Sequence, residues 1–176
     1  MPVYQIVKEG NLVLREKAKP VARINDAVIR LLDNLRDTMR GADRGVGLAA
    51  PQIGISKRVF VAELPEDEAY YEMINPVLSD LEGQAEGWEG CLSVPGLEGL
   101  VPRAERLNVR YTDREGKEQT LIAEGYLARI IQHEYDHLEG VLFRDKSVAF
   151  HSPLDDDDGE NKDQKETAGG GDTDQK

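Results

Sequence analysis

Apolar residues recur every three or four positions at Val28, Leu31, Leu32, Leu35 and Met39, the repeat that gathers side chains on one face of an α-helix. Asn25 stands where an N-cap would accept from the first turn, and Gly41 supplies a stop. A second periodic run, Tyr126 to Leu138, predicts a helix ending near Gly140. Alternation predicts strands at Val3 to Val7, Arg58 to Leu64 and Tyr71 to Leu78. It also predicts a hairpin of Leu107 to Thr112 with Gln119 to Ala123, turning at Asp113 to Gly116. Asn11 to Val21, which contains Pro20, reads as an irregular connection, and Gly45 to Gly54 and Gly83 to Gly99 are glycine-rich pieces between elements. Strands and one helix, then strands, then a last helix imply an α+β fold, with mainly antiparallel strands around the second helix.

Composition divides this picture into a body and a tail. The chain has 176 residues, 39% of them apolar, enough for one core and one domain, expected over residues 1–150. Residues 151–176 carry nine Asp or Glu against three Lys, a net −6 that is half of the chain's −12. Leu154 is the only large aliphatic residue there, so little apolar surface offsets the entropy of ordering and a disordered acidic tail is expected. The acidic balance, with no basic face evident, excludes a nucleic-acid binder that works by neutralising phosphates. No stretch reaches the roughly 18 apolar residues of a membrane span, and Met1-Pro2-Val3 lacks the features of a secretory signal. A soluble, cytoplasmic protein is expected. The single cysteine, Cys91, cannot form an internal disulfide, which leaves a buried thiol, a reactive one or a metal ligand.

The second predicted helix carries His133, Glu134 and His137, two of the chain's three histidines in an HExxH pattern. At about 100° per residue, the two histidines stand one turn apart and roughly 40° from each other, so both imidazoles can reach one metal ion. Glu134 then falls beside the metal's open position, where a general base is useful. Leu127, Ile130, Ile131 and Leu138 share that half of the helix, while Arg129, Gln132 and Asp136 take the other side. Polar groups on an apolar face cost roughly 1 to 3 kcal/mol each when unpaired, a conflict that a metal removes. The third histidine, His151, at the edge of the acidic tail, is expected to be solvated.

Zinc peptidases with this motif take a third ligand from downstream, a His beyond a Gly or a Glu on another helix. Neither pattern follows His137, which leaves Cys91 as the candidate, on a short extended stretch between glycines. A second possible motif, Gly45-x-Gly47, lacks the third glycine and the Lys-Ser/Thr ending of a phosphate-binding loop and follows a helix rather than a strand.

Three segments in order, Gly45-Val46-Gly47-Leu48-Ala49-Ala50-Pro51-Gln52, Glu89-Gly90-Cys91-Leu92-Ser93 and Gln132-His133-Glu134-Tyr135-Asp136-His137-Leu138, resemble the signature motifs of peptide deformylases. The similarity of layout extends from about Val3 to Phe143. It implies that Cys91, His133 and His137 hold one divalent metal ion. The donor set suits zinc and iron(II) alike; the resemblance implies iron(II), with nickel or cobalt also accepted. It further implies that Glu134 is the general base, that Gln52 and the backbone N–H of Leu92 donate to the developing oxyanion, and that Val46, Tyr126 and Ile130 line a pocket for methionine. Gly45 and Gly47 would let a substrate backbone approach closely. Glu89 and Arg103 are expected to steady the Cys91 segment.

The reaction so implied is removal of the N-formyl group from formyl-methionine on nascent peptides, with release of formate. The competing readings are a metallopeptidase that cuts internal peptide bonds and a silent metal-binding or peptide-binding module. The resemblance also brings docking near the ribosome exit through a basic C-terminal extension. This chain has an acidic tail there, which phosphate repels.

Overall fold

The computed structural model describes residues 3–153. Its elements run α1 (Asp26–Gly41), β1 (Gly47–Ala49), β2 (Val59–Leu64), β3 (Ala69–Glu82), β4 (Ala85–Cys91), β5 (Val94–Arg103), β6 (Arg106–Thr112), β7 (Glu118–Glu124), α2 (Gly125–Leu138), α3 (Phe143–Lys146) and β8 (Ala149–His151). Two sheets form, one ordered β1-β2-β3-β6-β7 and the other β4-β5-β8. Every pairing between these strands is antiparallel. The α+β expectation holds, and α2 packs against the five-stranded sheet.

α1 forms as its pattern dictates. Asn25 Oδ1 accepts from Val28 N at 3.1 Å, and Val28, Leu31, Leu32, Leu35 and Met39 pack with Leu48, Val59, Val61 and Ile74 under one end of the sheet. α1 ends at Gly41 as the pattern expects, and the C-cap is Ala42, φ −94°, whose N–H bonds Met39 O. The glycine that matters is Gly45, where the chain doubles back so closely that a Cβ would overlap the Met39 carbonyl oxygen.

α2 is buried on most sides. Ala128, Ile130, Ile131 and Leu138 join Phe60, Met73, Leu107 and Val109 in the main core. Gln132 and Asp136, which the pattern puts on the other side of the helix, are buried at 7% exposure. Gln132 accepts from Ala104 N and donates to Ala104 O, and Asp136 accepts from Arg103 at 2.6 Å. The partners come from the β5–β6 region, so this side of the helix faces protein rather than water. Gly140 ends the segment with φ +75°, and a Cβ there would lie 2.5 Å from Arg15 O.

Three expectations change. Val3 to Val7 forms no strand: Tyr4 N bonds Thr38 Oγ1 and Val7 N bonds Gln52 O, so its donors reach α1 and a 3-10 turn instead of a ladder. The glycine-rich stretches hold β1, β4 and β5, with β4 and β5 paired along their length. His151, expected to be solvated, is only partly exposed: it pairs in β8 opposite Glu98, with its ring edge-on to Trp88. The ordered chain therefore passes residue 150, and the acidic tail from residue 154 onward lies outside the described residues.

Leu35→Ala, which empties a fully buried position of α1, is expected to lower the unfolding free energy by about 3 kcal/mol. Asn25→Ala is expected to cost about 1 kcal/mol through the lost cap. Urea denaturation followed by far-UV circular dichroism measures both, and a Leu35→Ala loss no larger than the cap's would contradict this packing.

Candidate metal centre and cleft

α2 presents His133, Glu134 and His137, and the end of β4 brings Cys91 to meet them. A register shift after Gly90 takes the β4–β5 pairing from Gly90–Glu98 to Cys91–Val94, so Cys91 sits at the irregular end of the ladder. One donor atom from each of Cys91, His133 and His137 lies within 4.8 Å of the others, and Cys91 Sγ stands 3.4 Å from His137 Nε2. The His133 ring stacks on Phe143 at 6.1 Å between centroids. Its Nδ1 donates to Glu89 Oε1 at 2.7 Å, which fixes the ring and leaves Nε2 for the cluster.

The electrostatics of this set fit a cation. Burial lowers both histidines, but for His133 the contacts with Cys91 and Glu89 outweigh it and hold the imidazole well above its ordinary value. His137, desolvated and beside that positive ring, falls well below. A thiol and two imidazoles so gathered are a donor set of the kind that can hold a divalent metal ion. Soft thiolate and imidazole nitrogen together suit a transition metal rather than magnesium or calcium.

Glu134 is buried at 4% exposure, and its Oε2 has no hydrogen-bond partner among the described residues. Desolvation pushes its carboxyl up to about 7. Gly47 lies against it, for a Cβ there would sit 2.6 Å from Glu134 Oε1. The close approach expected of Gly45 and Gly47 is therefore made to the protein itself, to Met39 and to Glu134, although both glycines also line the cleft.

Gln52 is held rigidly in a buried 3-10 turn. Its Oε1 accepts from Ala49 N at 3.0 Å, so Nε2 must face the cluster, where it donates to Ser93 Oγ at 3.1 Å and approaches Cys91 Sγ at 3.5 Å. The segment before α1 braces this region: Val7 N bonds Gln52 O, Glu9 N bonds Ser93 O, and Lys8 Nζ donates to Leu92 O.

The site opens on a cleft of about 340 Å³, lined by Gly45, Val46, Gly47, Gln52, Cys91 and Leu92 together with Tyr126, Ile130, His133 and Glu134. Of the candidate metal, catalytic and pocket residues His137 alone is not in its wall, being 1% exposed beside Cys91. Ile130 is buried, whereas Tyr126 stands at the rim, 58% exposed. Glu89 and Arg103 prove to be a buried pair with bonds of 2.9 Å, and Glu89 reaches the cluster through His133.

The sequence reading missed Ser93, Lys8 and Arg129. Ser93 lies inside a motif already singled out, and Arg129 stands one helical turn before His133, a spacing that could have flagged it. Lys8 has no comparable signal, since its contact spans 84 residues.

Antiparallel sheets around a helix that brings two imidazoles and a buried carboxyl to a cysteine at one cleft define a metal-dependent hydrolase. Comparison with known proteins is specific. The family model described as polypeptide deformylase matches residues 3–152. A peptide deformylase of Pelotomaculum thermopropionicum is 52% identical over 147 residues, 84% of this chain and 93% of its own. One of Syntrophomonas wolfei is 53% identical over 148 residues, 84% and 95% of the two chains. The crystal structure of the peptide deformylase from Thermus thermophilus superposes with a TM-score of 0.78 at 49% identity, covering 82% of this chain and 86% of that one. The chain belongs to the peptide deformylase family, metal-dependent hydrolases that remove the N-formyl group from nascent peptides.

Glu89 supplies a test of the centre's support. Burial raises its carboxyl, but the hydrogen bonds from Arg103 and His133 outweigh that and hold it well below its usual 4.5. A carboxyl held below its unfolded value contributes stability that is complete above about pH 4.5 and vanishes as pH falls through the folded value. In chelator-treated protein Glu89→Gln is expected to cost about 3 kcal/mol at neutral pH, because Arg103 loses a charged partner. The curves of unfolding free energy against pH for the two proteins should converge in acid. Parallel curves would contradict the pairing.

Proposed function

We propose that Cys91, His133 and His137 hold one divalent metal ion and that Glu134 moves the proton in hydrolysis of the formyl group from formyl-methionyl peptides. The observation that carries this reading is the Glu134 carboxyl, buried at the cleft with one oxygen unpartnered and adjacent to three donors of metal-binding type. When bound, the ion supplies Lewis acidity that lowers the pKa of water at the site toward about 7.

The chain's own groups account for the remaining steps. Glu134, whose carboxyl burial raises before any ion is bound, accepts the proton of the attacking water and returns it to the leaving amine. Negative charge developing on the formyl oxygen is met by Gln52 Nε2, aimed by the Ala49 bond, and by the Leu92 N–H. Val46 and Ile130 offer apolar surface for the methionine side chain, with Tyr126 at its outer edge. Fixed donors matter because they are in place before charge develops and need no reorganisation as it forms.

Iron(II) is the ion we assign to the centre, with zinc, nickel or cobalt able to occupy the same donors. A cytoplasmic setting suits it: no helix of the described residues is long and apolar enough to cross a membrane, and the donor set includes a thiol that oxidises readily. The substrate reaches the cleft as the emerging end of a nascent chain. Any docking near the ribosome exit uses other surfaces than a basic tail, since residues 151–176 carry −6. The comparisons lend no support to an endopeptidase or a silent binding module.

Glu134→Gln is expected to keep nickel stoichiometry while formate release from a formyl-methionyl tripeptide falls about a thousandfold in kcat. Retained turnover would remove Glu134 from this role. Gln52→Leu should lower kcat about a hundredfold with a smaller change in KM. A loss confined to KM would mean that Gln52 binds the ground state and the transition state equally.

A further inference from the structure

Gly87 and Arg129 share one space. A Cβ on Gly87 would lie 2.7 Å from Cζ of Arg129 and 2.9 Å from its Nε and Nη2. Gly87 has no positive φ, so the backbone does not require glycine there; the neighbouring guanidinium does. From this seat Arg129 makes three bonds to the smaller sheet. Its Nη1 donates to Glu89 Oε2 at 2.6 Å and to Val101 O at 2.9 Å, and its Nη2 donates to Ala85 O at 2.9 Å.

Those bonds join the two halves of the metal centre. Arg129 rides on α2 one turn before His133, while Ala85 and Glu89 lie on β4, the strand that ends at Cys91. Glu89 takes Arg129 on Oε2 and His133 on Oε1, with Arg103 bridging both oxygens. A planar guanidinium can satisfy a carboxylate and two carbonyls at once, which a lysine ammonium at the same distance does less well.

We propose that Arg129 is a positioning residue for the metal donors, tying α2 to β4 so that His133 and His137 stand at the right separation from Cys91, and that Gly87 exists to admit it. The proposal rests on the reading of those three residues as metal ligands.

Cobalt(II) is the probe, since its thiolate absorption band reports the geometry at Cys91 independently of turnover. In full-length protein, Arg129→Leu and Gly87→Ala are each expected to speed cobalt release to a chelator about threefold to tenfold and to shift that band. This falls at or below the lower end of the range for outer partners of metal ligands, because Arg103 still holds Glu89. Gly87→Ala is the sharper case: it retains every charge and acts only by displacing the guanidinium. It keeps the test open if Arg129→Leu fails to fold. Arg129→Lys should fall between wild type and Arg129→Leu.

The double variant Gly87→Val/Arg129→Leu refills the space without the ties. Cobalt release should stay as fast as in Arg129→Leu. Release restored to the wild-type rate would reduce Arg129 to filler and overturn the proposal, as would wild-type release and an unshifted band in Gly87→Ala. Wild-type protein that takes up no cobalt, or His133→Ala that still retains it, would overturn the ligand assignment itself and this proposal with it.

Discussion

Glu89 is nearly enclosed on β4, and its two oxygens accept from Arg103 Nε and Nη2, Arg129 Nη1 and His133 Nδ1. Removing a carboxylate from water costs several kcal/mol unless charge and hydrogen bonds replace hydration, and here both do. The chain of charges continues from Arg103 to Asp136 and from Asp136 to Lys146. One side chain thereby joins β4, β5 and α2, the three elements whose relative placement determines whether a cysteine and two histidines can meet. The larger sheet and its core hold α2 from one side; this ionic network fixes it from the other.

Such an arrangement explains a helix that is polar where helices are ordinarily apolar. α2 has two polar sides, one directed to the cleft with buried Glu134 and partly buried His133, the other to β5 with buried Gln132 and Asp136. Each costs free energy unless partnered. On the β5 side the partners are supplied by Arg103 and the Ala104 backbone. On the cleft side Glu134 Oε2 and His137 Nδ1 keep no partner among the described residues. On α2 the polar groups facing β5 are satisfied, while Glu134 Oε2, which has chemistry to do, is left incomplete, in keeping with local rule-breaking at functional sites.

Elements whose signal is local were legible in the sequence. The periodicity of α1, the hairpin of β6 and β7, and the two histidines at helical spacing require only neighbours in the chain. β4 and β5 were not legible because their glycines answer to distant side chains: Gly87 to Arg129, and Gly99 to Ser147 and Phe143. A glycine-rich strand looks like a loop until its neighbour is known. For the same reason Val3 to Val7 looked like a strand although its partners are Thr38 and Gln52. At the site, the donor residues were legible as chemical types, while the contacts that orient them all cross between elements.

Cys91 and His137 are separated by 46 residues, and they meet only when β4 and α2 have docked. An ion gripped by both closes that long loop reversibly, much as a disulfide does covalently, and it binds the folded chain alone. Folding and metal supply then become one equilibrium: at a free concentration a hundredfold above the dissociation constant, the ion adds about 2.7 kcal/mol to stability. Cellular metal availability would in this way set not only how many molecules turn over substrate but also how many survive proteolysis, since protease sees the opened population.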